Sequence, residues 1–268
     1  MDKDRLKKMA RDDRYISGIY NYCDRWCERC IQTSRCLNYA FSEEEFTDAS
    51  ARDMDNETYW KKMSEILQAT HDLLSEMADA SGIDLNEHDL DQYRSEEQSI
   101  RERAENHKVC RAAKKYINMA DDWLDGVKDF IGGDRETGPN QELIMGKAEE
   151  IATDSLKDAL EVICWYQHQI YVKLMRAAAG LIREEADIFN ELDRHALDSD
   201  GSAKVALIGI DRSIAAWVIL NRFFSPLHNK GSPVIMIHLD KLRKGIERDF
   251  PEARGFIRPG FDRVDLNS

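Results

Sequence analysis

The sequence predicts an all-α protein: an antiparallel bundle of about five or six helices with a four-cysteine segment at its N-terminal end. Three observations predict it. Apolar residues recur at spacings of three and four along most of the chain. The Val/Ile/Thr alternation that marks strands is almost absent, and only five prolines interrupt 268 residues. Charged residues make up 33% and hydrophobic residues 42%, which is enough for a sizeable core beneath a charged surface.

A first helix is expected to start near Asp12 or Asp13, either of which can cap it. Ile16, Ile19, Tyr20 and Cys23 form its apolar side and lead into the cysteine run. Ser42-Glu43-Glu44-Glu45 has the form of a capping box, which predicts a short helix around Phe46. A long second helix is expected over 56–81, stopped by Gly82. Met63, Leu67, Leu74 and Met77 give its stripe, with His71 on the same side. Residues 82–92 read as an acidic loop.

The third helix is expected over 93–131, with Ile100, Ala104, Tyr116, Ala120, Trp123 and Val127 as its contacts. Gly132-Gly133 end it, the run GGDRETGP is the clearest turn, and Asn140 caps the next helical region. This fourth region spans 141–196, with a bend expected near Gly180. Leu156, Leu160, Ile163, Ile170 and Leu174 keep its period. Residues 198–201 separate it from a fifth helix, 202–224, which Pro226 stops. This helix is apolar nearly all round, so it should be central. A sixth helix, 233–250, precedes a tail containing Pro and Gly. The organisation reads as a four-cysteine metal-binding segment, 1–50, on a continuous helical bundle, 51–268. The acidic loop at 84–91 is the other candidate boundary.

The most specific chemistry lies at 23–36. Cys23, Cys27, Cys30 and Cys36 are spaced C-x3-C-x2-C-x5-C. On a helix the first three would share one face, with Cys36 returning from the following turn. Soft thiolate ligands select zinc or iron–sulfur clusters. Structural zinc sites usually draw ligand pairs from two separated knuckles, whereas all four ligands here are local, as in many iron–sulfur runs. Pairs at i, i+3 or i, i+4 on a regular helix are poorly placed for a disulfide. The spacing therefore predicts one centre on these four cysteines, a [4Fe–4S] iron–sulfur cluster ahead of zinc. The alternative is that they are small core hydrophobes. Cys110 and Cys164 are expected to be buried singletons.

The last three cysteines, C-x2-C-x5-C, resemble the cluster-binding spacing of endonuclease III-type glycosylases and of some iron–sulfur regulators. That resemblance covers these positions only and implies a cluster, not DNA repair. The first three, C-x3-C-x2-C, match the radical S-adenosylmethionine triad. Arg29 stands where that family has an aromatic residue, and the chain lacks the βα repeat of its barrel. The whole run IYNYCDRWCERC resembles the start of uncharacterised bacterial helical proteins, which implies no activity.

A net charge of −13 argues against general nucleic-acid backbone binding. The N-terminal run MDKDRLKKMARDD lacks the apolar stretch of a secretory signal. No apolar run reaches the ~18 residues of a membrane span. Clustered reduced thiols agree with a cytoplasmic protein.

A second constellation lies in the helices. Asp154, Asp158, Glu161, Trp165 and His168 fall on one face of the fourth, and His71 lies in the stripe of the second. They could bind a metal in a bundle core, but the Glu-x-x-His motif of ferritin-like di-metal sites is absent. The alternative is a solvated acidic face running into a core histidine. Asp211 and Arg212 are adjacent charges inside the apolar fifth helix and need partners. Arg176, Arg183 or Glu184 could pair with them, or they could hold a charged ligand in a pocket. No phosphate loop, dinucleotide fingerprint, zinc-protease motif or nucleophile elbow occurs. Two readings result. One is a metal- or iron–sulfur-binding helical protein whose centre is structural or redox-sensing and which acts through a protein partner or as a homo-oligomer. The other is an enzyme that uses the cluster for electron transfer, or a polar pocket near Asp211.

Overall fold

The computed structural model describes residues 3–82, 90–131, 153–185, 199–224 and 231–262. The fold is all-α, with no strand among the described residues. The helices are α1 (Lys3–Ala10), α2 (Leu37–Glu45), α3 (Ala49–Arg52), α4 (Glu57–Ser81), α5 (Leu90–Asn106), α6 (Lys108–Ile131), α7 (Thr153–Glu185), α8 (Ser199–Phe224) and α9 (Ser232–Asp249). No described helix is long and apolar enough to cross a membrane. The chain forms two compact units, one of residues 1–97 with 257–268 and one of residues 98–256. α4, expected in the bundle, groups with the cysteine segment in the first unit, as do the residues from 257.

The second unit is built on heptads. Its heptad-spaced buried positions include Val109, Ala113, Tyr116, Ala120 and Trp123 on α6, and Leu156, Ala159, Ile163, Tyr166 and Ile170 on α7. On α8 they are Ala203, Ala206, Ile210, Ser213, Trp217, Leu220 and Phe224, and on α9 Ile235, Leu239, Leu242 and Ile246. Steps of three and four keep one seam turned to its neighbours. The contacts fix the directions. Ser199, opening α8, donates to Glu184 at the end of α7 (3.3 Å). Gln167 of α7 donates to Asp121 of α6 (3.3 Å). Ser232, opening α9, donates to Asn221 near the end of α8 (2.7 Å). Lys108, opening α6, pairs with Asp249 at the end of α9 (2.9 Å). Each helix therefore runs antiparallel to the next, and α9 closes back on α6 as an up-down-up-down bundle.

α8 is the most buried helix of that unit among the described residues, though it was expected at the centre of the bundle and keeps an exposed face at Arg212, Ala215 and Val218. Its most extensive contact is with α7. The two approach closely at Gly209, where a Cβ would stand 2.8 Å from Tyr166 Cδ1 and 3.1 Å from Ile170 Cγ1. Helix propensity alone favours alanine over glycine by about 1 kcal/mol. Overpacking a tight seam costs about 1–3 kcal/mol. Gly209→Ala is therefore expected to destabilise the protein, by about 1 kcal/mol or more in urea unfolding. A stabilised variant would show that the seam opens freely.

Several element boundaries differ from the sequence reading. The expected third helix is two, α5 and α6, parted at His107. There the Asn106 side chain donates to the Glu102 carbonyl (2.8 Å) and His107 N–H turns back to Ala104 (3.1 Å). These side-chain and tight-turn bonds compete with the helical pattern. α7 runs unbroken through Gly180, and α8 begins at Ser199, so Asp200 and Gly201 lie inside it. The side chain of Val127, the stop at Gly132-Gly133, the GGDRETGP turn, Asn140, most of the acidic loop and Pro226 lie outside the described residues.

In the first unit, α4 matches its prediction. Asn56 accepts from Thr58 N–H (2.9 Å), and Gly82 ends the helix at φ 68°. The stripe does not match: Leu67, Leu74 and Met77 are each more than half exposed, while Ala69 and Ala78 are buried. α2 ends where the capping box was expected to begin a helix. Ser42 lies inside it, and Phe46 N–H donates back to Ser42 O (2.9 Å). The effective cap is Asp48, which opens α3 by accepting from Ala51 N–H (2.8 Å). α1 is tied to α4 by Lys3 and Lys7, both on Glu76, whose carboxyl these bonds hold down to about 2.

Candidate metal centre

The helix expected through the cysteines does not form. Residues 11–36 make a loop of short 3-10 turns, Ile19–Asn21, Cys27–Arg29 and Thr33–Arg35. Its ends are joined by Ile16 N–H donating to Arg35 O (3.0 Å). Gly18 adopts the left-handed conformation at φ 71°. Asp24 Oδ1 accepts from Trp26 N–H (3.2 Å), a local turn that a helix cannot contain. Trp26, at φ −83° and ψ 75°, makes an inverse γ-turn closed by Cys27 N–H on Arg25 O (3.0 Å). Arg25 stands at φ 61°, among the described residues the one non-glycine at positive φ. L-residues pay for that conformation, so the surrounding structure must impose it.

These turns replace the helical face as the means of gathering the sulfurs. Cys23, Cys27, Cys30 and Cys36 all line one small cavity, walled by the aromatic rings of Tyr20, Trp26, Tyr39 and Phe261. All four are partly buried and free of disulfides. Burial first, and then the charges of Cys23, Cys36, Glu28 and Cys30, raise the Cys27 thiol above the ordinary range. Cys27 therefore feels all three other cysteines. Gln32 N–H donates to Cys30 Sγ (3.4 Å), and Cys23 Sγ–H donates to Tyr20 O (3.5 Å). Arg29 stacks over Trp26 (4.0 Å), and Arg25, which also lines the cavity, lies over Tyr20 (5.9 Å). As placed, no three or more His, Cys, Asp or Glu side chains among the described residues form a single-ion site. The thiols stand around a cavity.

The second constellation lies elsewhere in the chain. His71, in the first unit, is exposed on α4 beside Asp72 (Nδ1–Oδ1 3.7 Å). In the second unit, Asp154, Asp158, Glu161 and His168 are all exposed along α7. Trp165 on the same face is half-buried, and His168, the expected core histidine, is exposed. Cys110 is buried, and burial pushes its thiol up to about 12. Cys164, expected to be buried, is exposed, because it stands one position beyond the Ile163 seam and so points about 100° away from it.

Asp211 was expected to meet a cation of the fourth helical region. Its partners are instead Arg243 of α9 (3.3 Å) and Arg254 just beyond it (2.7 Å). Arg243 also holds Asp240, and Arg254 holds Glu247 at 2.9 Å. Arg212 donates to the Tyr166 hydroxyl and lies over that ring (5.6 Å). The Asp211 side chain is 39% exposed, and its partners are 34% and 43% exposed. Solvent screens such pairs to about 0.2–1 kcal/mol each. Asp211→Ala is accordingly expected to cost no more than about 1–2 kcal/mol in denaturant unfolding, two such pairs together. A larger loss would mean that the network acts as a buried one.

Sequence reasoning missed Arg25, Gln32, Gly260 and Phe261. The Pro259-Gly260 pair carried a turn signal, but nothing in the sequence tied it to the cysteines. Comparison of the chain with known protein families, characterised proteins and solved structures found no match.

Proposed function

We propose that this is a metal-binding helical protein in which Cys23, Cys27, Cys30 and Cys36 ligate an iron–sulfur cluster, [4Fe–4S] ahead of zinc, in a structural or redox-sensing role. The observation that carries the reading is that all four cysteines line one cavity. An all-thiolate set suits zinc or iron–sulfur chemistry, and its confinement to one short loop suits a cluster. A tetrahedral zinc ion draws four sulfurs to about 2.3 Å from one point. A cluster needs its ligands set back around a volume.

The neighbouring groups agree with that assignment. Aromatic residues line the cavity, and the Gln32 N–H donor on Cys30 Sγ is of the kind that tunes cluster potentials. Ligation at neutral pH expels the thiol protons, Cys27's included. A structural role is supported by the loop itself, whose strained Arg25 and short turns need an internal tie. The enzyme alternative near Asp211 has less support, since both Asp211 oxygens are engaged by arginines.

The test is anaerobic purification followed by iron, zinc and acid-labile sulfide analysis with visible spectroscopy. Iron and sulfide in about equal amounts, near four of each per chain, are expected with visible sulfur-to-iron absorbance. Stoichiometric zinc without that absorbance would replace the cluster by a zinc site. Absence of both metals in the anaerobic protein would remove the centre.

A further inference from the structure

Part of the wall of the cysteine cavity comes from the other end of the chain. Phe261 lines the cavity. Gln32 donates from its side-chain Nε2 to the carbonyl of Gly260, while its backbone N–H donates to Cys30 Sγ. One residue thus joins a proposed ligand to the C-terminal turn. Gly260 makes the approach feasible. It stands at φ 77°, and a Cβ there would lie 2.6 Å from Ile16 Cδ1 and 2.9 Å from Ile19 Cδ1. Ile19 is itself buried and lines the same cavity.

The turn is braced before it meets the loop. Arg258 reaches the Asp262 carboxylate through Nε (3.1 Å) and Nη2 (3.0 Å), and its backbone N–H donates there too (2.9 Å). The Arg258 guanidinium also lies over the Phe261 ring (5.0 Å). The turn therefore presents Gly260 and Phe261 in a fixed arrangement.

We infer that residues 257–262 are a built-in wall of the metal centre, so that loading of the centre and docking of this C-terminal turn are thermodynamically linked. The inference rests on the reading that the four cysteines hold a centre. Ligation fixes the loop that carries Ile16, Ile19 and Gln32, which are the groups that receive the turn. Linkage is reciprocal: whatever the turn adds to the affinity for the centre, the centre adds to the docking of the turn. Gln32, Gly260 and Phe261 are positioning residues in this scheme and are not ligands.

The experiment compares full-length protein, reconstituted anaerobically with ferrous iron and sulfide, with the same protein stripped by a chelator. Hydrogen exchange is read on peptides covering 257–262 and on peptides covering 235–246 of α9. Stripping is expected to speed exchange in 257–262 on the order of tenfold and to leave α9 unchanged. In the reverse direction, Phe261→Ala and Gly260→Val are expected to release iron to a competing chelator at about tenfold lower chelator concentration. Phe261→Ala leaves the backbone demands of the turn alone, and far-ultraviolet circular dichroism reports whether either variant folds. Equal exchange in the loaded and stripped states, with variants that hold iron as tightly as wild type, would overturn the linkage and leave the centre standing. A wild-type chain that takes up no iron would sink the centre, and the linkage with it.

Discussion

Cys27→Ser is expected to abolish the centre. Iron and sulfide should fall to background in anaerobically purified protein, and visible absorbance should disappear. Cys27 is the informative position because it is electrostatically coupled to each of the other three cysteines. A serine hydroxyl is a poor substitute for a soft thiolate ligand. Binding free energy at such a site is also folding free energy, about 10–16 kcal/mol for structural zinc in small peptides. The loss should therefore reach the fold of the loop, seen as proteolysis between Ile16 and Cys36. The four-helix bundle should keep its helical signal. Cys110→Ser and Cys164→Ser serve as controls, since one thiol is buried in the bundle and the other is exposed on α7. Undiminished iron in Cys27→Ser would show that Cys27 is not a ligand.

The largest effect on stability is expected from Trp217→Ala. Trp217 is fully buried on α8, its Nε1–H donates to Tyr116 Oη across the core (3.2 Å), and its ring meets Trp123 edge-on at 4.9 Å. Trp123 in turn meets Phe224 at 5.4 Å. Truncation removes the ring, leaves a cavity and takes away a partner of a buried hydroxyl. The expected cost is about 3–5 kcal/mol, a large fraction of the 5–15 kcal/mol that typically holds a domain together. Denaturant unfolding monitored by circular dichroism measures it. A loss below about 1 kcal/mol would mean that Trp217 does not pack in the core of the bundle.

The bundle was legible because its signal is periodic. Steps of three and four along α7 and α8 identify a helix and its buried seam from residue types alone, and Asn56 and Gly82 mark the ends of α4 by local chemistry. Direction and partner choice were less legible. Asp211 pairs with Arg243 and Arg254, which lie 32 and 43 residues away, on α9 and in the turn beyond it. The burial of α4 was misread for a related reason. Its leucines and methionines keep a helical period whether or not anything covers them, so Leu67 and Leu74 predict a stripe but not its burial.

The cysteine site was legible in composition and illegible in form. Four cysteines within 23–36 suggest soft-metal chemistry, and their spacing also happens to fit one helical face. The chain uses turns instead, because Gly18, the Asp24 side chain and the left-handed Arg25 each interrupt the helical pattern. Phe261 and Gly260 were invisible as neighbours of the site, since nothing local in a sequence reports a contact made from more than two hundred positions away.

The most direct measurement is anomalous diffraction from crystals grown anaerobically, with data collected on both sides of the iron edge and of the zinc edge. The account predicts strong density among the Sγ atoms of Cys23, Cys27, Cys30 and Cys36 that appears above the iron edge and vanishes below it. Density that responds only at the zinc edge would replace the cluster with a zinc ion. Sulfurs that turn away from one another, with no anomalous density between them, would contradict the centre itself.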